Sequence, residues 1–371
     1  MGDPNRVTIF GQSSGGLSVA LQLLAYGGSK DAPFHAAIML LVIAGSRDEL
    51  CITQDSFNAV VGLTGCQSHD DPQNSAEALA CLRNLPATEL LEAAITHHES
   101  MSDRTDGDVY LPTVDGDFLP EAPSELMRKG MFVKMPVMIG WTEEDATRFT
   151  PQDKDSREFL RVFFPDLSAA TVERILDLYP EEEFREDTGA GLSAQFYRSA
   201  RIMRDILFVC PSFLFGLGMA RKYWERNNLI YPPVYFYDFN QTIMDEPGFG
   251  VVHSSDLPYV FANIEMYQNG EGVQVHIAEQ DYELEKRASR TWSTFASFGV
   301  PSLPPETGRE TLLDWEGGYG KSDSGNEEGG EDVKVYVIGG PSPGMSQLEE
   351  QRLKERCGFL NGDDVIKELR Y

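Results

Sequence analysis

The chain has 371 residues and sets 59 acidic side chains against 31 basic ones, for a net charge of −28. Such a surface repels nucleic acid and anionic membranes, which excludes both as main partners. With 41% hydrophobic and 11% aromatic residues it can build a sizeable core, and its most apolar run, residues 36–44, falls far short of the roughly 20 residues of a membrane span.

The first ten residues carry neither a basic nor an apolar leader region, so they read as lacking a signal peptide. Arg6 stands where a myristoylation signal after Gly2 needs Ser or Thr. Val7 to Phe10 is a short β-branched, apolar run, followed by the pentad Gly11-Gln12-Ser13-Ser14-Gly15 and by an Ala/Leu-rich helical stretch from Leu17 to Tyr26. A strand, a G-x-S-x-G turn and a helix form the elbow that exposes a serine hydroxyl at the top of a sheet. The pattern centres on Ser13, with Ser14 its competitor, and an ordinary Gly/Ser turn is the bland alternative. Gly11 and Gly15 are expected to be glycine because strand and helix backbones pass too close for a Cβ.

The helix stops at Gly27-Gly28, and Phe34 to Ala44 reads as the next buried strand, the order of a parallel α/β unit. Residues 51–104 look helical and polar. Inside them Cys66 and Cys81 bracket a polar loop that suits a disulfide, although a cytosolic enzyme would carry such a pair free. The other cysteines are Cys51, Cys210 and Cys357, and none has metal-site spacing, so no metal is assigned. Tyr110 to Pro120 is a loop. Val133 to Trp141 is a third strand, ending in Glu143, Glu144 and Asp145.

Residues 151–229 read as mostly helical, in the place of a lid or substrate-binding cap over a sheet edge. Ser168 caps a helix with Val172, Ile175, Leu176 and Tyr179 on its apolar face, and a longer helix from Ser193 to Val209 is expected to break at Pro211. Val234 to Phe239 is a fourth strand, followed by the sequon Asn240-Gln241-Thr242 and a loop containing His253. Arg287 to Phe298 is a helix stopped by Gly299 and Pro301. Residues 316–333 form an acidic Gly/Ser tract, expected as a disordered surface loop. Lys334 to Ile338 is a short last strand, and a charged helix runs from Gln347.

A serine at its ordinary pKa is a poor nucleophile; it needs an imidazole to take its proton and a carboxylate to orient that imidazole. In elbow folds the chain order is Ser, then Asp or Glu, then His. Of six histidines, His35 starts a strand, His69 lies inside the cysteine loop, His97 and His98 lie on a polar helix, and His276 sits in a polar segment. His253, on the loop after a strand, remains. Spacing alone leaves Glu143, Glu144 and Asp145 open as the acid.

Taken together, DPNRVTIFGQSSGGLSV, GCQ…CLR, PTVDGDFLPEAP, PVMIGWTEEDATRF, HSSDLPYVF and WSTFASFGVPS resemble the type-B carboxylesterase and lipase family of α/β-hydrolases, which includes cholinesterases and fungal lipases. The resemblance implies one α/β-hydrolase domain over residues 1–371, no cofactor, and hydrolysis of a small-molecule ester or lipid through an acyl-enzyme. It places the nucleophile on Ser13, the acid on Asp145 with Glu144 as the alternative, and the base on His253. It also places an oxyanion-hole N–H on Ser14, a supporting carboxylate on Asp256, and the disulfide on Cys66 and Cys81.

The sequence departs from the family at Gln12 and Ser14, where Glu and Ala are usual, and at Asp145-Ala146, where Glu-Gly is usual. The stretch AIMLLVIAGSRDELC carries extra apolar residues. The family has a long segment ahead of the elbow, with a signal peptide, the first strands and a Gly-rich oxyanion loop. The chain therefore resembles the C-terminal two-thirds of a secreted esterase, with its nucleophile strand left as an apolar edge. Two further readings stand beside the esterase: a non-catalytic relative used for binding, and a chain whose site persists without activity. Neither the ester substrate nor the oligomeric state can be read from the sequence.

Overall fold

The computed structural model describes residues 2–40, 50–67, 75–101, 109–227, 234–268, 274–319, 333–349 and 351–369. Six strands form one sheet in the sequential order β1 (Thr8–Gln12), β2 (Ala36–Leu40), β3 (Val137–Thr142), β4 (Val234–Phe239), β5 (Lys334–Ile338) and β6 (Gly344–Gln347). The first five are parallel and β6 runs antiparallel to β5. Parallel strands need helical crossovers, and those helices cover both faces of the sheet.

The period-2 alternation of the strands sorts their side chains between two cores. Ala37 and Met39 on β2, Val137, Ile139 and Trp141 on β3, and Phe236 on β4 enter one core with helices Ser14–Leu24, Pro123–Lys129 and Ala194–Arg204. Ile38, Met138, Tyr237 and Phe239 enter the other, against Trp292 and Phe295 of helix Glu279–Phe298. A smaller cluster under helices Leu50–Leu63, Ser75–Asn84 and Ala87–Ser100 is closed by the Cys66–Cys81 disulfide, with Cα atoms 5.5 Å apart.

Ser168 caps its helix by accepting from the Thr171 N–H, and Val172, Ile175, Leu176 and Tyr179 are buried as the spacing predicts. Gly299 stops its helix in the left-handed conformation.

Three sequence expectations need correction. Pro211 does not break a helix: Ala194–Arg204 continues through a π-turn at Asp205–Val209 into helix Cys210–Asn227. One wider turn absorbs the helix-breaking residue that follows it. As a result residues 194–220 form a helix long and apolar enough to cross a membrane, contrary to the reading of short apolar runs, and it is mostly buried in the core. Cys210 is bonded to Cys357, a disulfide over 147 residues of sequence. The terminal segment opens as strand β6, with its helices at Leu353–Leu360 and Asp363–Leu369. The extra apolar residues at 41–49 and most of the acidic tract at 316–333 lie outside the described residues.

Candidate functional site

β1 ends at Gln12, and the chain turns at Ser13 into helix Ser14–Leu24. Ser13 has φ 59° and ψ −127°, a left-handed backbone that a non-glycine residue adopts only under constraint. Two bonds impose it: the Ser13 N–H donates to the Leu40 carbonyl (3.2 Å), and the Ser13 carbonyl accepts from Leu17 N–H (3.0 Å). A Cβ on Gly11 would meet the Gly15 carbonyl carbon at 2.3 Å, so glycine is required there. Gly15 itself has open space where its Cβ would stand, and the close approach explains Gly11 alone. Ser14 opens the helix, where backbone N–H groups lack intrahelical acceptors.

His253 and Asp145 are brought together from loops after β4 and β3. Nδ1 of His253 lies 2.5 Å from Asp145 Oδ1, and both residues are buried, at 9% and 2% exposure. The Thr142 N–H donates to the other Asp145 oxygen at 2.9 Å, which fixes the carboxylate as a turn closing on β3. Phe149 meets the imidazole edge-on with centroids 5.1 Å apart, and Phe208, from the π-turn, stacks on it at 5.9 Å. The remaining imidazole nitrogen, Nε2, lies 3.0 Å from the side-chain amide nitrogen of Gln12, the residue next to Ser13.

The other acidic candidates point elsewhere. Glu144 accepts from the Val251 N–H at 2.9 Å while its own N–H bonds the Val251 carbonyl, so it ties the acid loop to the histidine loop and does not face the imidazole. Burial and then the Glu143 charge push its carboxyl up. Glu143 pairs with Arg201 (2.9 Å) and Arg204 (3.0 Å); burial works against its charge, but the two guanidinium groups hold the carboxyl down at about 2. Arg204, itself buried, also binds Asp205, which accepts the Tyr179 hydroxyl at 2.7 Å. This network fastens the loop carrying Asp145 to the helix carrying Phe208.

Asp256 sits at the start of the short helix Leu257–Val260, buried and, among the described residues, without a partner for Oδ1. Burial and the nearby Asp145 charge push its carboxyl up to about 7, and Tyr237 OH lies 3.4 Å from Oδ2. Among the described residues no group of three or more His, Cys, Asp and Glu side chains could hold a metal ion.

Reading the sequence alone missed Gln12, Thr142, Phe149 and Phe208 as neighbours of the imidazole and its acid. Gln12 had left a trace, since it departs from the usual residue of its motif. The phenylalanines had left none, because their contacts join segments far apart in the chain.

Comparison with known proteins places these observations in a family. The chain is 41% identical to a secreted lipase from Arthroderma benhamiae, covering all of this chain and 64% of that protein. It is 28% identical to an inactive carboxylesterase-like protein, VdtD, from Byssochlamys spectabilis, over 97% of this chain and 62% of that one. It therefore spans less than two thirds of the length of either relative. The structure of Aspergillus niger EstA superimposes with a TM-score of 0.69 at 20% identity, covering the whole of this chain and 66% of that one, and it shares the α/β-hydrolase fold. Residues 1–325 match the carboxylesterase family, and the chain belongs to it.

Proposed function

We propose that the protein hydrolyses carboxylic esters through a covalent acyl-enzyme. Ser13 Oγ attacks the ester carbonyl carbon while His253 Nε2 takes the hydroxyl proton, and Asp145 holds the Nδ1–H and stabilises the imidazolium. The tetrahedral oxyanion is met by the Ser14 N–H. Collapse expels the alcohol with the proton from Nε2, and water activated by the same nitrogen then releases the acid. The observation that carries this reading is the buried His253–Asp145 pair, whose second nitrogen meets the residue next to a strained serine. Helices within 151–229 are assigned to the pocket wall, because Phe208 from that region lies on the imidazole. Asp256 is assigned a supporting role behind the histidine. An oxidising, extracellular setting fits two disulfides and a secreted lipase as a relative.

A fluorophosphonate probe is expected to label the folded protein and to leave Ser13→Ala unlabelled. A folded wild type that takes no label removes the catalytic role. That outcome would favour a second reading, a non-catalytic esterase-like protein, which has its own support: Gln12 occupies the nitrogen that Ser13 must reach, and one relative is described as inactive.

A further inference from the structure

A carboxylate has no proton to give, so the short contact between Asp145 and His253 Nδ1 requires Nδ1–H. In the neutral ring Nε2 is then a bare lone pair and needs a donor. The Gln12 amide supplies one at 3.0 Å. The amide therefore selects the tautomer that general-base catalysis uses, while occupying the lone pair that accepts the serine proton. We infer that Gln12 is a positioning residue that latches His253 in the resting site, and that Ser13 engages the imidazole only by displacing the Gln12 amide. The inference deepens the hydrolase reading and rests on it for its kinetic consequence, although the latch itself is a property of the resting protein.

The residue type matters. A glutamate at position 12 would present a carboxylate to Nε2 and favour the imidazolium, a ring that can no longer accept a proton. Glutamine favours the neutral ring.

The other groups around the ring are fixed. Asp145 faces Nδ1, Asp256 lies behind with its raised carboxyl, and Phe149 and Phe208 cover the ring. Glu143 and Glu144 are engaged by Arg201, Arg204 and Val251. All of these are unchanged between the wild type and a variant at position 12, so their contributions cancel in the comparison.

The test reads the histidine directly and then the serine. Protein labelled with ¹⁵N-histidine is titrated by NMR, with His253→Gln identifying the resonance, for the wild type, Gln12→Met and Gln12→Glu. Loss of the donor in Gln12→Met is expected to raise the His253 midpoint, and Gln12→Glu to raise it further, by about one pH unit or more. Fluorophosphonate labelling at pH 8.5 is expected to be about fivefold faster in Gln12→Met, the size of one lost hydrogen bond, and slower in Gln12→Glu at neutral pH. Unchanged midpoints in both variants overturn the latch. Raised midpoints with unaltered or slower labelling of Gln12→Met overturn the gating of Ser13. A raised midpoint in a protein that never labels keeps the latch and removes the hydrolase. Should Gln12→Glu fail to fold, Gln12→Met alone decides.

Discussion

The two halves of the site are built on different kinds of strand. Asp145 follows β3, whose six residues are all buried between neighbours on both sides, whereas Ser13 follows β1, which has no fully buried residue and in which Phe10 is 51% exposed. Among the described residues β1 pairs only with β2. The imidazole and its acid are held by a covered sheet centre and an ionic network, the serine by two backbone bonds and one glycine contact. Precision at the imidazole is inherited from the core; precision at the serine is made locally, by a strained turn.

The most severe way to break this comparison is to alter the core-held half. In Asp145→Asn the amide donates toward Nδ1 and turns the imidazole to the wrong tautomer, so kcat for an ester substrate should fall by about 10⁴ with the fold intact. Retained turnover would mean that the acid lies elsewhere.

Stability should follow the same division. Ile139→Ala on β3 empties a fully buried site and is expected to cost about 2–5 kcal/mol in denaturant unfolding, against about 1 kcal/mol for Phe10→Ala on β1, whose ring is half-exposed beside Phe261. Equal losses would show that β1 is held as firmly as β3.

The remaining effect is a slope. Asp256, raised from 3.8 to about 7, keeps its proton in the folded protein over a range where the unfolded chain has lost it. Its contribution is fully present below about pH 4 and is lost as pH rises to about 7, at no more than about 1.4 kcal/mol per pH unit. Asp256→Asn should flatten that decline and gain stability relative to the wild type above pH 7, as read from unfolding curves at pH 5 and pH 8.

What the sequence disclosed divides along the same physical line. The elbow, the cap at Ser168 and the stop at Gly299 are decided by neighbours in the chain, and a one-dimensional pattern records them. His253 and Asp145 were legible through their order along the chain and a family resemblance, and the structure sets them side by side. Cys210 with Cys357 and Phe208 on the imidazole are pairings between distant segments with no local signature, whereas strand β6 is a hairpin partner that follows β5 after five residues. Pro211 misled for the converse reason: a local rule was applied where a wider turn and a disulfide at the adjacent residue decide the outcome.

That wider turn also constrains how the gene can change. Each α-helical residue advances about 100°, so the π-turn sets the segments on either side of it out of phase. Ahead of it, Arg201 and Arg204 face Glu143; after it, Cys210 faces Cys357, and the Cys210 carbonyl accepts from the Asn361 amide at 2.7 Å. Point substitutions can retune either set of partners independently. A one-codon deletion within 205–209 can preserve both by closing the wide turn to an ordinary α-turn, whereas the same deletion in the regular helix on either side would rotate one set away from its targets. A change of length is therefore confined to this short stretch.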